Sequence, residues 1–298
     1  MSFKSGFVTL MGRPNVGKST LLNNLAGEKI AIISKKAQTT RNAIRAVITE
    51  KDWQMIFVDT PGLHSPKTRL GKYMLKTVSD ALPGGDVILF VTVAGDIPRG
   101  EEEARWLERV RRGPASVILV INKIDAHPKH EILKTISGYD PLLSFKTAVP
   151  VSALTGEGRE ELIKEILKLL PEGPKYYPDD TLTDQAERTI AAELIREKAL
   201  LLLEEEVPHG IGVMVQTYHV RPDRQLVDIQ ADIVCDRESH KGIIIGKNGV
   251  MLKKIGTMAR KEMENILGTP VNLQLWVKVR EGWKNNPHIL EELGYGKN

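Results

Sequence analysis

Several features that define other protein classes are scarce or absent in this chain of 298 residues. The only cysteine is Cys235, so an internal disulfide is excluded and the composition fits a reducing compartment. No run of 18 or more apolar residues occurs, and this predicts no transmembrane helix. The first residues lack a basic region followed by an apolar stretch, so we expect no cleaved signal. A net charge of +4 gives only a mild preference for polyanions.

The first half of the chain alternates short apolar runs with amphipathic segments. The runs are apolar on both faces, which is typical of central strands in a parallel sheet, and they lie at 6–12, 54–60, 86–94, 116–123 and 148–153. Helical periodicity occurs at 18–26, 69–81, 100–112, 129–137 and 157–170. This alternation predicts a doubly wound α/β domain. The stretch 42–50 alternates apolar and polar residues, and it predicts an edge strand antiparallel to 53–58.

The second half follows a different pattern, which predicts a separate α+β domain. Prolines and polar residues around 172–183 indicate a linker, so the predicted domains are 1–171 and 184–298. We expect a helix at about 184–206, capped by Thr183 or Asp184. Two strands, a helix–loop–helix unit at 237–267 and a strand at 271–279 follow, and the tail predicts a short helix.

A glycine-rich motif directly follows the first predicted strand and opens a helix. "GRPNVGKS" (12–19) fits G-x-x-x-x-G-K-[ST], whose backbone amides surround a phosphate. Lys18 is expected to reach the β- and γ-phosphates, and the Ser19 hydroxyl to coordinate Mg²⁺. Asn15 has two open interpretations: its side-chain oxygen holds a potassium ion at the nucleotide, or it only stabilises the loop.

Two further motifs predict that the base is guanine. "NKID" (122–125) follows a buried strand, and the Asp125 carboxylate can accept both guanine donors, which adenine lacks. Lys123 can cover the base, and Asn122 can tie this segment to the phosphate loop. In "VSALTGEG" (151–158), the backbone of Ser152 and Ala153 can donate to guanine O6.

The stretch "FVDTPGLHSP" (57–66) predicts the segment that senses the metal and the γ-phosphate, but it lacks one expected side chain. Asp59 can hold Mg²⁺ through a water, and the Gly62 amide can contact the γ-phosphate. Leu63 stands where many switch GTPases have a water-orienting glutamine. We therefore expect slow intrinsic hydrolysis, with water positioned by backbone groups, a cation or a partner. Either Thr39 or Thr40 should contact Mg²⁺, and we favour Thr40.

In the second domain, a G-x-x-G loop lies between two helical segments. Gly246-Lys247-Asn248-Gly249 can admit a nucleic-acid backbone, as the loop of a KH module does. From Lys241 to Lys261 every charged residue is basic, which suits phosphates. The alternative is a solvated basic helix after an ordinary glycine turn.

The order of "GRPNVGKSTLLNNL", "SKKAQTTR", "DTPGLHSPK" and "NKID" resembles the Era family of bacterial GTPases, and so do "ELIREKALLLLEEEVP" and "LQLWVKVREGW". The resemblance covers essentially the whole chain. It implies a Ras-like GTPase domain followed by a type II KH domain. It also implies GTP or GDP with Mg²⁺ as ligands, and binding to the 3′ end of 16S ribosomal RNA. A role in maturation of the small (30S) subunit, linked to cell growth, follows from the same resemblance.

These motifs give two sets of predicted site residues. For GTP they are Gly12, Arg13, Pro14, Asn15, Val16, Gly17, Lys18, Ser19, Thr20, Thr39, Thr40, Asp59, Thr60, Pro61, Gly62, Leu63, Asn122, Lys123, Asp125, Ser152, Ala153 and Leu154, with Ser19, Thr40 and Asp59 at the metal. For RNA they are Lys241, Ile245, Gly246, Lys247, Asn248, Gly249, Lys253 and Lys254.

Two other functions remain open from the sequence: a constitutive RNA-binding protein with a structural nucleotide, and a GTPase for RNA modification. The second would call for an extra reactive residue, and Cys235 is expected to lie in the core instead. Trp276 is also expected in the core, although Trp276 and Trp283 could stack on bases. We expect a cytoplasmic protein with at most weak peripheral contact on the inner face of the cell membrane, no metal site at His209 or His240, and no DNA partner.

Overall fold

The computed structural model describes residues 2–34, 36 and 38–296, with the side chain of Arg224 excepted. Of the residues in the predicted loop 34–42 and the predicted tail, Lys35, Ala37, Lys297 and Asn298 lie outside this description. The chain divides into two compact units. The first contains Met1–Ala31, Thr40–Lys67 and Met74–Asp184, and the second contains Ile32–Thr39, Thr68–Tyr73 and Gln185–Asn298. The domain boundaries at residues 171 and 184 remain a prediction.

The first unit contains a six-stranded sheet. Its strands are β1 (Lys4–Met11), β2 (Ile44–Glu50), β3 (Trp53–Asp59), β4 (Val87–Val93), β5 (Ser116–Asn122) and β6 (Thr147–Pro150). They are arranged in the order β2-β3-β1-β4-β5-β6. β2 is antiparallel to β3, and the other neighbours are parallel. The predicted parallel sheet and its antiparallel edge strand are confirmed.

Helices pack on both faces of this sheet because its central strands are apolar on both sides. In chain order they are α1 (Lys18–Ala26), α2 (Arg69–Ala81, of which Met74–Ala81 belong to this unit), α3 (Gly100–Arg112), α4 (Lys129–Tyr139) and α5 (Arg159–Leu169). One core cluster joins Val8 to Leu22 of α1 and Leu162 of α5. The other joins Phe90 to residues of α2, α3 and α4.

The second unit has the predicted order of helix, two strands, two helices and a strand. Its elements are α6 (Glu187–Leu202), β7 (Gly212–Arg221), β8 (Leu226–Cys235), α7 (Glu238–Ile245), α8 (Val250–Leu267), β9 (Val271–Val279) and α9 (Pro287–Glu292). β8 pairs with β7 antiparallel and with β9 parallel. α9 confirms the predicted short helix in the tail. Within the described part of the chain, no helix is both long and apolar enough to cross a bilayer.

Two local predictions in the second half are wrong. α6 begins at Glu187 after Ala186, without a side-chain cap. Thr183 and Asp184 instead contact Arg45, through its carbonyl and its guanidinium respectively. Trp276 is 45% exposed rather than in the core, because its position on β9 points to the polar face of the sheet.

Two other residues do enter the core of the second unit. Trp283 is fully buried, and its Nε1 donates to the carbonyl oxygen of Gly210 at 3.0 Å. Cys235 is buried as expected, and burial raises the pKa of its thiol, which leaves the reactive thiolate less populated.

Candidate nucleotide and nucleic-acid sites

The predicted nucleotide residues lie at one edge of the first sheet. The phosphate loop follows β1, Asp59 ends β3 and Asn122 ends β5. These strands are parallel, so their carboxyl ends meet at the same edge. Ligands of open α/β sheets bind at this edge, so the fold brings the separate motifs together.

The phosphate loop depends on glycine at two positions. Gly12 has φ 148° and Gly17 has φ 99°, and both values favour glycine. A Cβ at Gly12 would lie 2.1 Å from the Val91 carbonyl oxygen, and one at Gly17 would lie 2.2 Å from Asn122 Nδ2. Backbone and neighbouring groups therefore occupy the space that any side chain would need.

Lys18 is held inside the loop by main-chain acceptors. Its Nζ donates to the carbonyl oxygens of Gly12 at 3.1 Å and Arg13 at 3.0 Å, and the residue is 6% exposed. Burial lowers the pKa of Lys18 to about 8, and the nearby Asp59 carboxylate partly opposes this shift. Burial destabilises the charged form of this amine, so a strongly charged anion bound beside it would stabilise the ammonium.

Three oxygen-bearing side chains form a cluster beside Lys18. Ser19 Oγ donates to Asp59 Oδ2 at 2.6 Å, and Thr40 Oγ1 lies 3.0 Å from Ser19 Oγ and 3.3 Å from Asp59 Oδ2. Asp59 Oδ1 is buried without a hydrogen-bond partner in the described residues. Burial raises the pKa of Asp59, while Lys18 lowers it. Oxygen ligands with one unsatisfied carboxylate oxygen fit Mg²⁺.

The two candidate threonines have different surroundings. Thr40 is buried, and its hydroxyl points at Ser19 and Asp59. The Thr39 hydroxyl donates instead to the carbonyl oxygen of Lys36 at 2.7 Å, within the second unit. This geometry favours Thr40 over Thr39 as a ligand for a metal at this cluster.

Leu63 belongs to the core of the first unit. It is 6% exposed and lies in the cluster that contains Met11 and Phe90. Its amide donates to the Gly12 carbonyl oxygen at 3.0 Å. A Cβ at Gly62 would lie 2.6 Å from Pro14 N, so this segment packs directly on the phosphate loop. The leucine supplies packing, and its side chain has no polar atom with which to orient water.

The base-recognition motifs are connected by Asn122. Its Nδ2 donates to the Val16 carbonyl oxygen at 2.8 Å, which is the predicted tie to the phosphate loop. Its Oδ1 accepts from the amides of Lys123 at 2.8 Å and Ala153 at 2.9 Å. A guanine O6 would therefore share the Ala153 amide with Asn122 or use another amide of that loop, such as that of Leu154.

Lys123 and Asp125 are also held in place by neighbours. Lys123 has φ 64°, and its Nζ donates to the Asn15 carbonyl oxygen at 2.8 Å. Asp125 Oδ1 accepts from Ser152 Oγ at 2.6 Å. Fixing the carboxylate before a ligand arrives reduces the entropy lost on binding a base.

The side chain of Arg13 points to α3. Its Nε donates to Glu103 Oε1 at 3.1 Å, and its Nη2 donates to the Ile97 carbonyl oxygen at 2.6 Å. Glu103 is 5% exposed and also accepts from Tyr139 Oη at 3.1 Å. The guanidinium anchors the phosphate loop, so Arg13 can contribute to a nucleotide through its backbone. The sequence alone did not indicate Glu103 or Tyr139, because their pattern is that of ordinary helical residues.

The G-x-x-G loop of the second unit exposes its polar residues. Gly246 and Gly249 have φ 71° and 75°, and Asn248 has φ 53°. Lys247 and Asn248 are exposed between the two glycines, and so are Lys253 and Lys254 on α8. Lys241 pairs with Glu238 at 3.6 Å. Among the described residues, Lys247, Lys253 and Lys254 have no ion-pair partner and remain available to phosphates.

A groove of about 480 Å³ adjoins this loop. A Cβ at Gly256 would lie 3.3 Å from Leu275 Cδ1, so the glycine allows α8 and β9 to approach closely. Most of the lining is not recognisable from the sequence, because its residues are separated along the chain. The groove is lined by Gly249, Leu252, Lys253, Gly256, Thr257, Arg260, Leu273 and Leu275. Apolar side chains with a basic rim are suited to splayed bases and their phosphates.

Comparison with known proteins matches both halves of the chain. Residues 7–123 match the family model of a 50S ribosome-binding GTPase, and residues 206–284 match that of a KH domain. GTPase Era of Ruminiclostridium cellulolyticum is 51% identical over 298 residues, covering 100% of this chain and 99% of that protein. GTPase Era of Clostridioides difficile is 51% identical over 294 residues, with 98% and 99% covered.

Two solved structures are similar over nearly the whole length. A point variant of Aquifex aeolicus Era bound to GDP·AlF4⁻ has a TM-score of 0.94 and 43% identity, covering 99% of this chain and 100% of that one. Era in complex with MgGDPNP and nucleotides 1506–1542 of 16S ribosomal RNA has a TM-score of 0.93, with the same identity and coverage. The fold is thus a Ras-like GTPase domain followed by a KH domain, and the chain belongs to the Era family of GTPases.

Proposed function

We propose that this chain is a GTP-hydrolysing switch that binds the 3′ end of 16S ribosomal RNA and assists maturation of the 30S subunit. The cluster of Ser19, Thr40 and Asp59 beside Lys18 carries the nucleotide half of this proposal. Asp125 is the residue that selects guanine. In the solved complex noted above, a related Era binds nucleotides 1506–1542 of 16S ribosomal RNA, which supports the RNA half.

The roles of the residues follow from their positions. Mg²⁺ would be held by Ser19, Thr40 and, through a water, Asp59. There it would neutralise charge on the phosphate oxygens. Lys18 exchanges its two carbonyl acceptors for phosphate oxygens. The backbone of the phosphate loop surrounds the phosphates, and the Gly62 amide contacts the γ-phosphate. Because the Leu63 side chain is apolar and buried, we propose a slow intrinsic rate that a ribosomal partner accelerates.

RNA binding is assigned to the second unit. The exposed lysines at 247, 253 and 254 neutralise the backbone, and the groove between α8 and β9 accepts bases. Lys241, Ile245, Gly246, Asn248 and Gly249 complete the proposed surface. We also retain the proposed division into a GTPase domain at 1–171, a linker at 172–183 and a KH domain at 184–298. We propose no DNA partner.

Two measurements test the proposal. GTP turnover is followed with and without 30S subunits, in sodium and in potassium buffer. We expect slow basal turnover and a higher rate with subunits. A further increase in potassium would support a cation at Asn15, and equal rates would assign Asn15 to loop stability alone.

Binding of an RNA with the 3′-terminal sequence of 16S ribosomal RNA should differ between the GTP and GDP states. Equal affinity in the two states would contradict the switch.

We propose a cytoplasmic location, where ribosomal subunits and GTP are found. The exposed lysines of α8 support at most a weak electrostatic contact with the inner face of the cell membrane. Sedimentation with anionic vesicles tests this contact. Binding that disappears at about 0.3 M salt is expected, since screening acts strongly on exposed charges.

A further inference from the structure

The peptide group between Gly62 and Leu63 is hydrogen-bonded on both sides. Its N–H, from Leu63, donates to the Gly12 carbonyl oxygen at 3.0 Å. Its carbonyl oxygen, from Gly62, lies 2.8 Å from His64 Nδ1. A carbonyl oxygen can only accept, so Nδ1 carries a proton and donates it. The orientation of this peptide is therefore set by the phosphate loop on one side and by an imidazole on the other.

The same peptide connects to the group that binds phosphate. The Gly12 carbonyl oxygen accepts from Lys18 Nζ at 3.1 Å as well as from the Leu63 amide. Gly62 lies so close to Pro14 that no side chain fits between them. A change in the Gly62–Leu63 backbone would thus be felt directly at the phosphate loop.

We propose that His64 is a positioning residue for GTP hydrolysis. Its Nδ1–H holds the Gly62 carbonyl, and this fixes the Gly62 backbone so that the Gly62 amide meets the γ-phosphate beside the attacking water. The inference rests on the proposed function and adds to it the side chain that sets this backbone. Without a polar side chain at Leu63, the orientation of the backbone gains importance for water positioning.

The alternative role for the same imidazole is to bind a water molecule directly through Nε2. His64 Nε2 is buried and has no hydrogen-bond partner in the described residues. With Nδ1 protonated, a neutral ring offers Nε2 as an acceptor, which could bind a water directly. Asparagine and glutamine separate the two roles. Asparagine places its amide nitrogen near the position of Nδ1, and glutamine places its amide near that of Nε2.

The experiment compares the wild type with His64→Ala, His64→Asn and His64→Gln. Single-turnover GTP hydrolysis, GTP and GDP dissociation constants and thermal unfolding are measured for each full-length protein. We expect His64→Ala and His64→Gln to lower the hydrolysis rate by about 10- to 100-fold, the range for a small misplacement near reacting groups. His64→Asn should retain most of the rate. GDP affinity should stay within about twofold in all three, because GDP lacks the γ-phosphate.

Three outcomes would overturn the inference. His64→Ala could hydrolyse GTP as fast as the wild type. His64→Gln could retain the rate while His64→Asn loses it, which would assign water binding to Nε2. All three variants could lose GDP affinity and thermal stability together, which would reduce His64 to a packing residue. Ser65→Ala, at the exposed neighbour, is the matched control. A wild type that hydrolyses no GTP contradicts the proposed function instead, so the two failures are distinguishable.

Discussion

The phosphate loop and the G-x-x-G loop share one backbone feature but suit different ligands. Each places a glycine with positive φ directly before a helix, Gly17 before α1 and Gly249 before α8. A Cβ at Gly17 would lie 2.2 Å from Asn122 Nδ2, whereas one at Gly249 would meet no atom of the described residues within 4 Å. Lys18 is buried among carbonyls, and Lys247 is exposed. A closed loop suits a compact ligand and its chemistry, and an open one suits a polymer that passes across it.

The largest difference should come from adding one methyl group to each loop. Gly17→Ala places Cβ against the amide of Asn122 that holds the phosphate loop, so we expect GTP affinity to fall at least about 100-fold. Gly249→Ala meets open space and adds only left-handed backbone strain of about 1–2 kcal/mol. Nucleotide binding and RNA binding are measured for both variants. Similar losses of GTP affinity in the two would remove the contrast between closed and open loops.

Removing exposed charge should give a smaller and salt-dependent effect. Lys253→Ala together with Lys254→Ala removes two exposed cations of α8. Neither has an ion-pair partner among the described residues of the chain. For single strands, each phosphate contact contributes about 0.7 to the slope of log K against log salt. The magnitude of this slope should therefore fall by about 1.4. RNA affinity should fall by a similar factor for all RNA sequences, and basal GTP turnover should not change. Lys164→Ala, an exposed lysine of α5, is the control and should leave the slope unchanged.

The buried lysine should instead be sensitive to pH. In the protein free of nucleotide and Mg²⁺, the pKa of Lys18 is about 8, against an ordinary value of 10.5. Between these values the unfolded chain binds more protons than the folded one, so the free energy of unfolding rises with pH. Below pH 8 the full desolvation penalty is present. Chemical denaturation in EDTA at several pH values from about 7.5 to 10 measures this rise.

Lys18→Met has a side chain of similar length but no titrating group. In this variant, the increase in the free energy of unfolding with pH that Lys18 causes should be absent. Identical pH dependence in wild type and Lys18→Met would show that the buried amine does not titrate in this range.

The sequence predicts well the features that depend on neighbouring residues. The apolar strands, the phosphate loop and the G-x-x-G loop were all identified because their residues are contiguous. Glu103 and Leu275 were missed because their roles depend on residues far away in the chain. The exposure of Trp276 was also missed, although the sequence contains the signal: Trp276 alternates with polar residues such as Gln274 and Lys278 on one face of β9. Tertiary packing decides the roles of Glu103 and Leu275, and single-residue patterns do not contain it.

The smallest effect on rate should come from Leu63, which stands where many switch GTPases have a water-orienting glutamine. Its side chain lies in an apolar cluster with Met11 and Phe90, and its functional contact to Gly12 is made by the backbone amide. Leu63→Ala should lower the free energy of unfolding by about 2–5 kcal/mol, since it leaves a cavity. The basal rate should change by less than about threefold, because no catalytic group is removed.

Leu63→Met, which conserves volume, separates packing from chemistry. It should lose less than about 1.5 kcal/mol of stability and keep the basal rate. A loss of about 100-fold or more in Leu63→Ala, with GTP affinity intact and Leu63→Met unaffected, would mean that the packed leucine holds the Gly62 backbone in its active position. In that case packing at Leu63 and the hydrogen bond from His64 would act on the same peptide. A double variant of Leu63→Ala and His64→Ala would then lose less rate than the product of the single losses.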